Sequence, residues 1–338
     1  MSSEIAYSVL DLATIIEGGS PVDTFPRSLD LARHVEKWGY KRYWLAEHHN
    51  IPNVASSATA VLIGYIAGGT STIRVGSGGI MLPNHAPLIV AEQFGTLASL
   101  YPGRIDLGLG RAPGSDQATA LEIRGANFHK PHNFAGDIQK LQHFFSADSN
   151  GSRIRAIPGE GLDIPLWILG SSTDSALVAA QMGLPYAFAS HFAPAQFLEA
   201  MQLYRQHFRP SQNLSEPYVI ACVNVVAADT DLEANRLATS IRQFILGIVS
   251  GRRRPLQPPV DDMAPLWTSF EEEAVNHMLS YAFIGSPKTL KAKLRTFLEN
   301  TGVNEIMATA HVFDHAARLR SYELFAATMK EMLTATVQ

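Results

Sequence analysis

The sequence predicts an α/β fold, and within that class a closed (β/α)8 TIM barrel, on three observations. Short apolar segments alternate with segments of helical periodicity along the 338 residues. Glycine or proline follows most of the helical segments, as is typical of helix ends. The apolar segments number eight, which is the count that a closed barrel needs, and their short connections indicate parallel strands. An open doubly wound sheet is the less favoured alternative.

The predicted strands are rich in branched and aromatic residues, and helical patterns separate them. The pattern "SLDLARHVEKWG" stops at Gly39, "LIVAEQFGTLASL" stops before Pro102, and "DSALVAAQMG" stops at Gly183. We see no internal repeat beyond this alternation. The predicted strands are residues 5–12, 42–48, 72–78, 104–110, 164–170, 185–190, 218–228 and 305–311.

Two segments exceed the minimal barrel: 112–134 after the fourth strand and 251–275 before the eighth. The first mixes Gly, Pro, His and Asn, which indicates an ordered excursion over the barrel mouth. The second combines several prolines and charges of both signs with large apolar residues, which favours a mobile lid over a linker. We expect residues 1–338 to form a single domain.

Composition and charge limit the possible functions. The net charge is −4 and no long basic run occurs, which argues against nucleic acid as a main partner. Cys222 is the single cysteine, so neither an internal disulfide nor an all-cysteine metal site is possible. The sequence shows no signal-peptide pattern and no apolar run long enough to cross a membrane. We therefore expect a cytoplasmic protein with no membrane partner.

Glycines mark the ends of two neighbouring predicted strands. "VGSGGIMLP" places Gly78 and Gly79 after the third strand, and "RIDLGLGR" ends the fourth strand with Gly110 and Arg111. The carboxyl ends of barrel strands meet at one rim, where active sites of this fold lie. Glycine clusters at strand ends mark either a tight bend or the close approach of a flat ligand. Two such ends side by side favour a broad planar ligand.

A serine-rich turn follows the fifth predicted strand in "WILGSSTDSALVAAQMG". The strand ends at Gly170, and Ser171, Ser172 and Ser175 lie where a helix begins. Free N–H groups and hydroxyls at a helix start form an anion site, although structural capping by serine is an alternative of similar weight. Arg111 on the adjacent strand end would complete a phosphate clamp, because a guanidinium can bind phosphate in a bidentate manner.

The stretch "YWLAEHHN" places Glu47, His48 and His49 at the end of the second strand. Adjacent strand residues point to opposite faces, so one histidine can face the mouth while the other residues orient the strand end. A metal pair is the alternative, but such sites need histidines at alternate positions and carboxylates from other strands. We therefore predict no metal. Four further histidines near the rim fit solvated loop positions better than catalytic ones: His85, His129, His132 and His191.

The segments "LAEHH", "GSGGIMLPNHAP", "PGRIDLGLGR" and "GSSTDSALVAAQMGLP", in this order and spacing, resemble the flavin-dependent bacterial luciferase-like monooxygenases. The resemblance runs from about residue 4 to 230 and continues more loosely to "GVNEIM". It is strongest with stand-alone members whose fourth strand reads "LGLGRAPGSD", rather than with the light-emitting heterodimers.

The resemblance implies a cofactor, a partner and roles for individual residues. Members hold reduced FMN, delivered by a separate flavin reductase, with the flavin ring at the barrel mouth. It implies acid/base work for His48, and a non-prolyl cis peptide at Gly78 and Gly79 against the flavin. Gly110 stands where luciferase has a reactive cysteine, so chemistry tied to that thiol does not transfer. The remaining implied cofactor contacts are Arg111, Ser172 and Ser175 at the phosphate, with Gly170 beside them and Ser171 in place of an acidic residue.

The expected function is that of an FMN-dependent monooxygenase that uses O2 to oxidise a small organic substrate. A deazaflavin (F420)-dependent oxidoreductase and a non-catalytic flavin-binding protein are the alternatives. We also expect a homodimer, because "SSATAVLIGYIAGG" and "LIVAEQFGTLASL" are apolar around much of their circumference and luciferase-like proteins pair through these helices. Burial of both helices beneath long loops is the competing explanation.

Overall fold

The computed structural model describes residues 5–335, in which eight parallel strands close into a barrel. The barrel strands pair in chain order, and Glu305–Thr309 closes the ring by pairing with the first strand and with residues 220–224. The predicted fold is therefore confirmed. The strands are β1 (Ala6–Asp11), β2 (Arg42–Leu45), β3 (Arg74–Ser77), β4 (Ile80–Met81), β5 (Ile105–Gly110), β6 (Leu166–Gly170), β7 (Tyr186–Phe188), β8 (Val219–Ala227), β9 (Ala282–Gly285) and β10 (Glu305–Thr309).

All eight predicted strands are present, each shorter than its prediction by at most three residues at either end. The sequence did not predict β4, which is two residues long and pairs with β5, or β9. The short strand β9 pairs in parallel with residues 224–227 at the end of β8. It lies outside the closed ring, so the prediction of an eight-stranded barrel is unaffected.

Helices cover the outside of the barrel, and local sequence signals define their ends. Ser20 and Asp23 form a capping box at the start of the first helix. Gly183 ends the sixth helix in the left-handed conformation, with φ 63°. The helices within residues 5–335 are α1 (Pro21–Lys37), α2 (Thr59–Gly68), α3 (Pro87–Leu100), α4 (Gln117–Arg124), α5 (Phe134–Phe145), α6 (Thr173–Met182), α7 (Phe197–His207), α8 (Asp231–Val249), α9 (Ser269–Met278), α10 (Pro287–Thr301) and α11 (His315–Ala335). None of these helices is both long and apolar enough to cross a membrane.

Strand side chains alternate between the outer wall and the barrel interior. In β1, Val9 packs in the large core shared with the helices, whereas Leu10 belongs to a separate interior cluster. Trp44 and Trp167 belong to the same interior cluster, with their ring centroids 5.3 Å apart in an edge-to-face arrangement. The barrel interior is therefore filled by side chains rather than open.

Charged residues close the floor of the barrel, where the strands begin. Arg42 at the start of β2 is buried, and its guanidinium contacts carboxylates of Asp106 and Glu305 at 2.8 Å each. Arg74 bonds the other oxygen of Asp106 at 2.7 Å. The Tyr218 hydroxyl donates to Glu305 at 2.8 Å. We call these five residues the floor network.

The segment 112–134 is ordered, as predicted, and packs on the loops around the mouth. It contains α4, and the Pro113 carbonyl accepts a hydrogen bond from Asn84 Nδ2 at 2.8 Å. The Gly114 carbonyl accepts a hydrogen bond from the His49 N–H at 3.2 Å. The excursion thus fixes the loops that follow β2 and β4.

The segment 251–275, which the sequence predicts to be a lid, is irregular at its start and helical at its end. Its last residues belong to α9, because Thr268 starts a helix with a capping box after the prolines end. Leu256 exchanges backbone hydrogen bonds with the loop after β1, which anchors the start of the segment. Met263 is buried, whereas Phe270 is 78% exposed.

Candidate active site

Arg111 and the N-terminus of α6 lie together at the barrel mouth. Arg111 directly follows β5, and its Nη2 donates to Asp174 Oδ2 in the first turn of α6 at 3.2 Å. Ser172 is the N-cap residue of α6, but its side chain makes no capping hydrogen bond. The first N–H groups of α6 are thus left uncapped by serine, and a guanidinium stands beside them. This combination favours an anion.

The ion pair between Arg111 and Asp174 is weak enough to be exchanged for a ligand. The two side chains are 47% and 69% exposed. An exposed pair of this kind contributes about 0–1 kcal/mol. Arg111 can therefore leave Asp174 for a phosphate at little cost.

The three other predicted residues of this turn have different environments. Ser171 is exposed, whereas Ser175 is buried with its hydroxyl 2.7 Å from the Ser172 carbonyl and 2.9 Å from the Tyr186 hydroxyl. The Ser175 side chain therefore shapes the turn and is already engaged. A Cβ on Gly170 would overlap the Ser175 hydroxyl, so glycine is needed there for the helix start to pack on β6.

The rim glycines are also required by the protein itself. A Cβ on Gly78 would lie 2.7 Å from Leu10 Cδ1, and one on Gly79 would lie 2.8 Å from the Gly108 carbonyl oxygen. The peptide bond between Gly78 and Gly79 is cis. A Cβ on Gly110 would lie 3.0 Å from Met81. Strand packing thus explains these glycines at least as well as the room they leave for a ligand.

Glu47 organises the loops around the mouth. Its buried carboxylate contacts His49 Nε2 at 2.8 Å and His85 Nε2 at 2.9 Å, and it accepts a hydrogen bond from the Met81 N–H at 3.1 Å. Burial alone would raise the pKa of Glu47, but the hydrogen bonds from His49 and His85 outweigh it and lower the pKa to about 2. His49 thus orients the strand end, as expected. The interpretation of His85 as solvated is wrong, because Glu47 holds it.

His48 is the member of the histidine pair without such a partner. Its Nδ1 is buried and makes no hydrogen bond within the described chain. Burial and the nearby charge of Arg253 lower the pKa of His48 to about 4, although Glu47 opposes this shift. The imidazole is therefore neutral at pH 7 and can accept a proton.

Two further histidines are of this kind: His191, whose interpretation as solvated is wrong, and His311, which the sequence analysis missed. His191 and His311 are 9% and 4% exposed, and neither His191 Nδ1 nor either ring nitrogen of His311 has a partner within residues 5–335. Burial, and then the charges that His311 and His48 would carry, lowers the pKa of His191 to about 3. Each of the three histidines lies two or three residues beyond a strand end, which is the signal that could have found them. We call His48, His191 and His311 the mouth histidines.

The mouth histidines do not form a metal centre in the structure. Among the described residues, no group of three or more His, Cys, Asp or Glu side chains is arranged to hold a metal ion. The nitrogens without partners are therefore open to an organic ligand or to proton transfer.

Comparison with known proteins assigns the family. The model of the luciferase-like monooxygenases matches residues 7–305. The chain belongs to the luciferase-like monooxygenase family. A luciferase-like monooxygenase of Escherichia coli (strain K12) is 49% identical over 97% of this chain and 98% of its own. The YvbT protein of Bacillus subtilis (strain 168) is 53% identical over 96% of each chain.

A second Bacillus subtilis relative has a named activity. The N-acetyl-S-alkylcysteine monooxygenase of that strain is 36% identical over 74% of this luciferase-like chain and 75% of its own. Among solved structures, apo-MsnO8 is 34% identical with a TM-score of 0.85, over 96% of this chain and 98% of that one. The matched family and the named Bacillus subtilis activity support an oxidoreductase of the monooxygenase type.

More distant solved structures share the fold alone and differ in cofactor. The oxygenating constituent of 3,6-diketocamphane monooxygenase from Pseudomonas putida, solved with FMN, is 18% identical with a TM-score of 0.70, over 96% and 97% of the two chains. An F420-dependent secondary alcohol dehydrogenase is 14% identical with a TM-score of 0.70, over 96% and 99%. Neighbours in this fold thus use FMN or F420.

Proposed function

We propose that this protein is an FMN-dependent monooxygenase that receives reduced flavin from a separate reductase and uses O2 to oxidise a small organic substrate. One observation carries the proposal. Arg111 reaches the uncapped N-terminus of α6 on the same rim as His48, whose ring is neutral at pH 7 and whose buried Nδ1 has no partner in the described chain. An anion site and a proton acceptor at one barrel mouth suit a cofactor with a phosphate end and a redox ring.

The residues present fit the phosphate end of FMN. Arg111 would exchange its exposed pair with Asp174 for the phosphate, and the first N–H groups of α6 would donate to it. Ser171 is exposed at the same turn and can contribute its hydroxyl. Ser175 would act through its backbone N–H group, because its hydroxyl is engaged inside the turn, whereas Ser172 makes no capping bond and can offer its hydroxyl as well.

Near the flavin ring, the protein would transfer protons and exclude water. Reduced FMN, when bound, would supply the electrons for O2 activation. His48 is positioned to take up or return a proton through Nδ1. Glu47 fixes the strand end through His49 and His85, which keeps the His48 ring oriented.

We propose that residues 251–275 form the lid that keeps water out of the closed site. Leu256 anchors the segment to the loop after β1, and Thr239 of α8 accepts a hydrogen bond from the Val260 N–H at 2.8 Å. Replacing residues 258–266 by a shorter Gly/Ser linker should preserve FMN affinity yet divert oxygen into hydrogen peroxide. Lost FMN affinity with an unchanged peroxide yield would instead assign the segment to cofactor binding.

A homodimer in the cytoplasm is part of the proposal. Val61 and Tyr65 on α2 and Ile89 and Leu100 on α3 are exposed, so loops do not cover these helices within the described chain. Exposed apolar groups on two adjacent helices are suited to pairing with a second copy. Light scattering at micromolar concentration should give the mass of two chains, and Val61→Glu should reduce it to one.

The deciding experiment compares two redox cofactors. Oxygen uptake with FMN, NADH and a flavin reductase, dependent on this protein and an added substrate, would support the proposal. Hydride transfer with F420, without oxygen uptake, would favour the deazaflavin alternative suggested by the F420-dependent neighbour. Tight FMN binding without either reaction across a broad substrate panel would indicate a flavin-binding protein.

A further inference from the structure

A cleft of about 310 Å³ lies between the C-terminal half of α8 and the segment 252–257, and no sequence-predicted site residue lines it. Phe244, Leu246 and Leu266 contribute apolar surface to the cleft. The cleft is therefore much larger than an inorganic anion needs, and its apolar walls suit an organic molecule.

Two arginines of the "GRRRP" run give the cleft its charge. Arg252 and Arg254 line it, and within residues 5–335 neither side chain makes a hydrogen bond or a close ion pair, although the charge of Arg252 acts on the carboxylate of Glu271. Glu271 also lines the cleft, but its carboxylate accepts hydrogen bonds from the Thr268 N–H at 2.8 Å and hydroxyl at 2.9 Å. Two guanidinium groups are thus available for a carboxylate, which they can hold by charge-assisted hydrogen bonds.

Gln243 and Gln257 line the same space. Gln243 Nε2 donates to the Pro258 carbonyl at 2.9 Å, and Gln257 Nε2 donates to the Pro255 carbonyl at 2.9 Å. Because the amide nitrogens are engaged in this way, each glutamine has its Oε1 left to accept. The cleft therefore offers acceptors for an N–H donor close to its two cations.

Phe244 connects the cleft with one of the mouth histidines, His311. Phe244 lines the cleft, and its ring also contacts the His311 ring at a centroid distance of 4.4 Å. His311 is 4% exposed, and neither ring nitrogen has a partner in the described chain. Arg253, between the two cleft arginines, lies close enough to His48 for its charge to depress the pKa of that histidine. The segment 252–254 thus borders both spaces.

We propose that this cleft binds a small carboxylate-bearing substrate of the N-acyl amino acid type. Arg252 and Arg254 hold the carboxylate, the glutamine oxygens accept the acyl amide N–H, and the apolar side chain lies along Phe244 towards His311. That the bound molecule is a substrate rests on the proposed function. That the cleft binds an organic anion does not depend on it.

Calorimetric titration of the flavin-free full chain tests the proposal with three N-acetyl amino acids and their neutral primary amides. N-Acetylmethionine, N-acetylleucine and N-acetylphenylalanine supply the carboxylate, the amide and three apolar chain shapes. At least one acid should bind tenfold or more tightly than its amide. The double variant Arg252→Gln/Arg254→Gln should lose tenfold or more of the affinity for that acid, while affinity for its amide and for FMN stays unchanged.

A matched control removes two exposed arginines elsewhere, Arg153→Gln/Arg295→Gln, which should leave all three affinities unchanged. Equal affinity for acid and amide, no acid binding at millimolar concentration, or full acid affinity in the cleft double variant would overturn the proposal. Oxygen uptake with FMN and no acid binding would refute the inference alone. Acid binding without FMN binding would refute the proposed function and leave the cleft as an anion site.

Discussion

The floor and the mouth of the barrel bury polar groups in opposite ways. At the floor, Arg42 lies between the carboxylates of Asp106 and Glu305, and each charge has a partner at hydrogen-bonding distance. At the mouth, His191 and His311 are also buried, yet their ring nitrogens named above have no partner in the described chain. Buried polar groups in folded proteins are normally satisfied, so an unsatisfied one indicates a role other than stability. The polar groups at the floor thus stabilise the fold, whereas those at the mouth are left for function.

The largest expected effect is at the floor. Arg42→Met should lower the free energy of unfolding by about 3–5 kcal/mol, because it leaves the buried carboxylate of Glu305 without its cation and Asp106 with Arg74 alone. Urea unfolding followed by circular dichroism measures the loss. Arg153→Met is the control at an exposed arginine and should change stability by less than about 0.5 kcal/mol. Similar small effects for both variants would remove the structural role of the floor network.

At the mouth, the expected loss is in binding rather than in stability. Arg111→Ala should weaken FMN binding by about 1.5–3 kcal/mol, the range for a hydrogen bond to a charged group. Riboflavin, which lacks the phosphate, should lose far less affinity, and urea unfolding should be nearly unchanged because Arg111 is half exposed. Fluorescence titration with both flavins measures the difference. Equal losses for FMN and riboflavin would make Arg111 a structural residue.

The mouth histidines should also make stability depend on pH. An unfolded histidine binds a proton near pH 6.5, whereas folded His48 and His311 do so near pH 4 and His191 near pH 3. The unfolded chain therefore holds more protons below pH 6.5, and the free energy of unfolding falls as pH decreases. The expected slope for each histidine is about 0.7 kcal/mol per pH unit at pH 6.5 and approaches about 1.4 kcal/mol per pH unit near pH 5. His191→Leu should remove the contribution of one histidine from the pH dependence of the free energy of unfolding between about pH 5 and 6.5.

Neighbouring charges define the window for that measurement. Burial is the largest cause of the lowered pKa at both His48 and His311. Arg253, Glu47 and His49 then act on His48, and Arg318 and Asp11 act on His311. Glu47 titrates lower: its pKa falls from 4.5 to about 2 on folding, so its stabilisation is complete above pH 4.5 and is lost as pH falls towards 2. Unfolding experiments above pH 5 therefore isolate the histidines. An unchanged slope in His191→Leu would mean that folding does not shift the pKa of His191.

The smallest expected effect on stability is at His311, and it tests the difference between floor and mouth directly. His311→Leu replaces a ring whose nitrogens have no partner by an apolar group of similar size, so the free energy of unfolding at pH 7 should change by less than about 1 kcal/mol. The same thermal or urea unfolding assay as for Arg42→Met measures it. A loss comparable with that at the floor would show that His311 is part of the structural core.

The sequence predicted the fold well because strand periodicity and helix ends are local signals. Gly183 ends α6 in a left-handed turn because the following chain must reverse towards β7. Glycine is the residue type that favours this conformation, so the sequence predicts the helix end. β9 escaped prediction because its four residues pair only with the end of β8, a partner that is distant in the chain.

Much less of the candidate site could be predicted, because burial and pairing there depend on distant residues. Arg111 and the α6 N-terminus were expected to meet, since both stand at neighbouring strand ends, and they do. His191 was interpreted as solvated because the sequence does not show that other elements bury it. The engagement of the Ser175 hydroxyl by Tyr186 likewise depends on packing between two elements.

The floor network also sets an order of events during synthesis. Glu305, which holds Arg42, lies 263 residues further along the chain, on the strand whose pairing closes the ring. Until β10 has been synthesised, the edges of β1 and β8 have no strand between them. Arg42 then lacks one of its two carboxylates. Long-range parallel pairing of this kind forms late and exposes strand edges until it does. The ribosome must therefore release nearly the whole chain before the barrel can close, and chaperone contact is most needed in that interval.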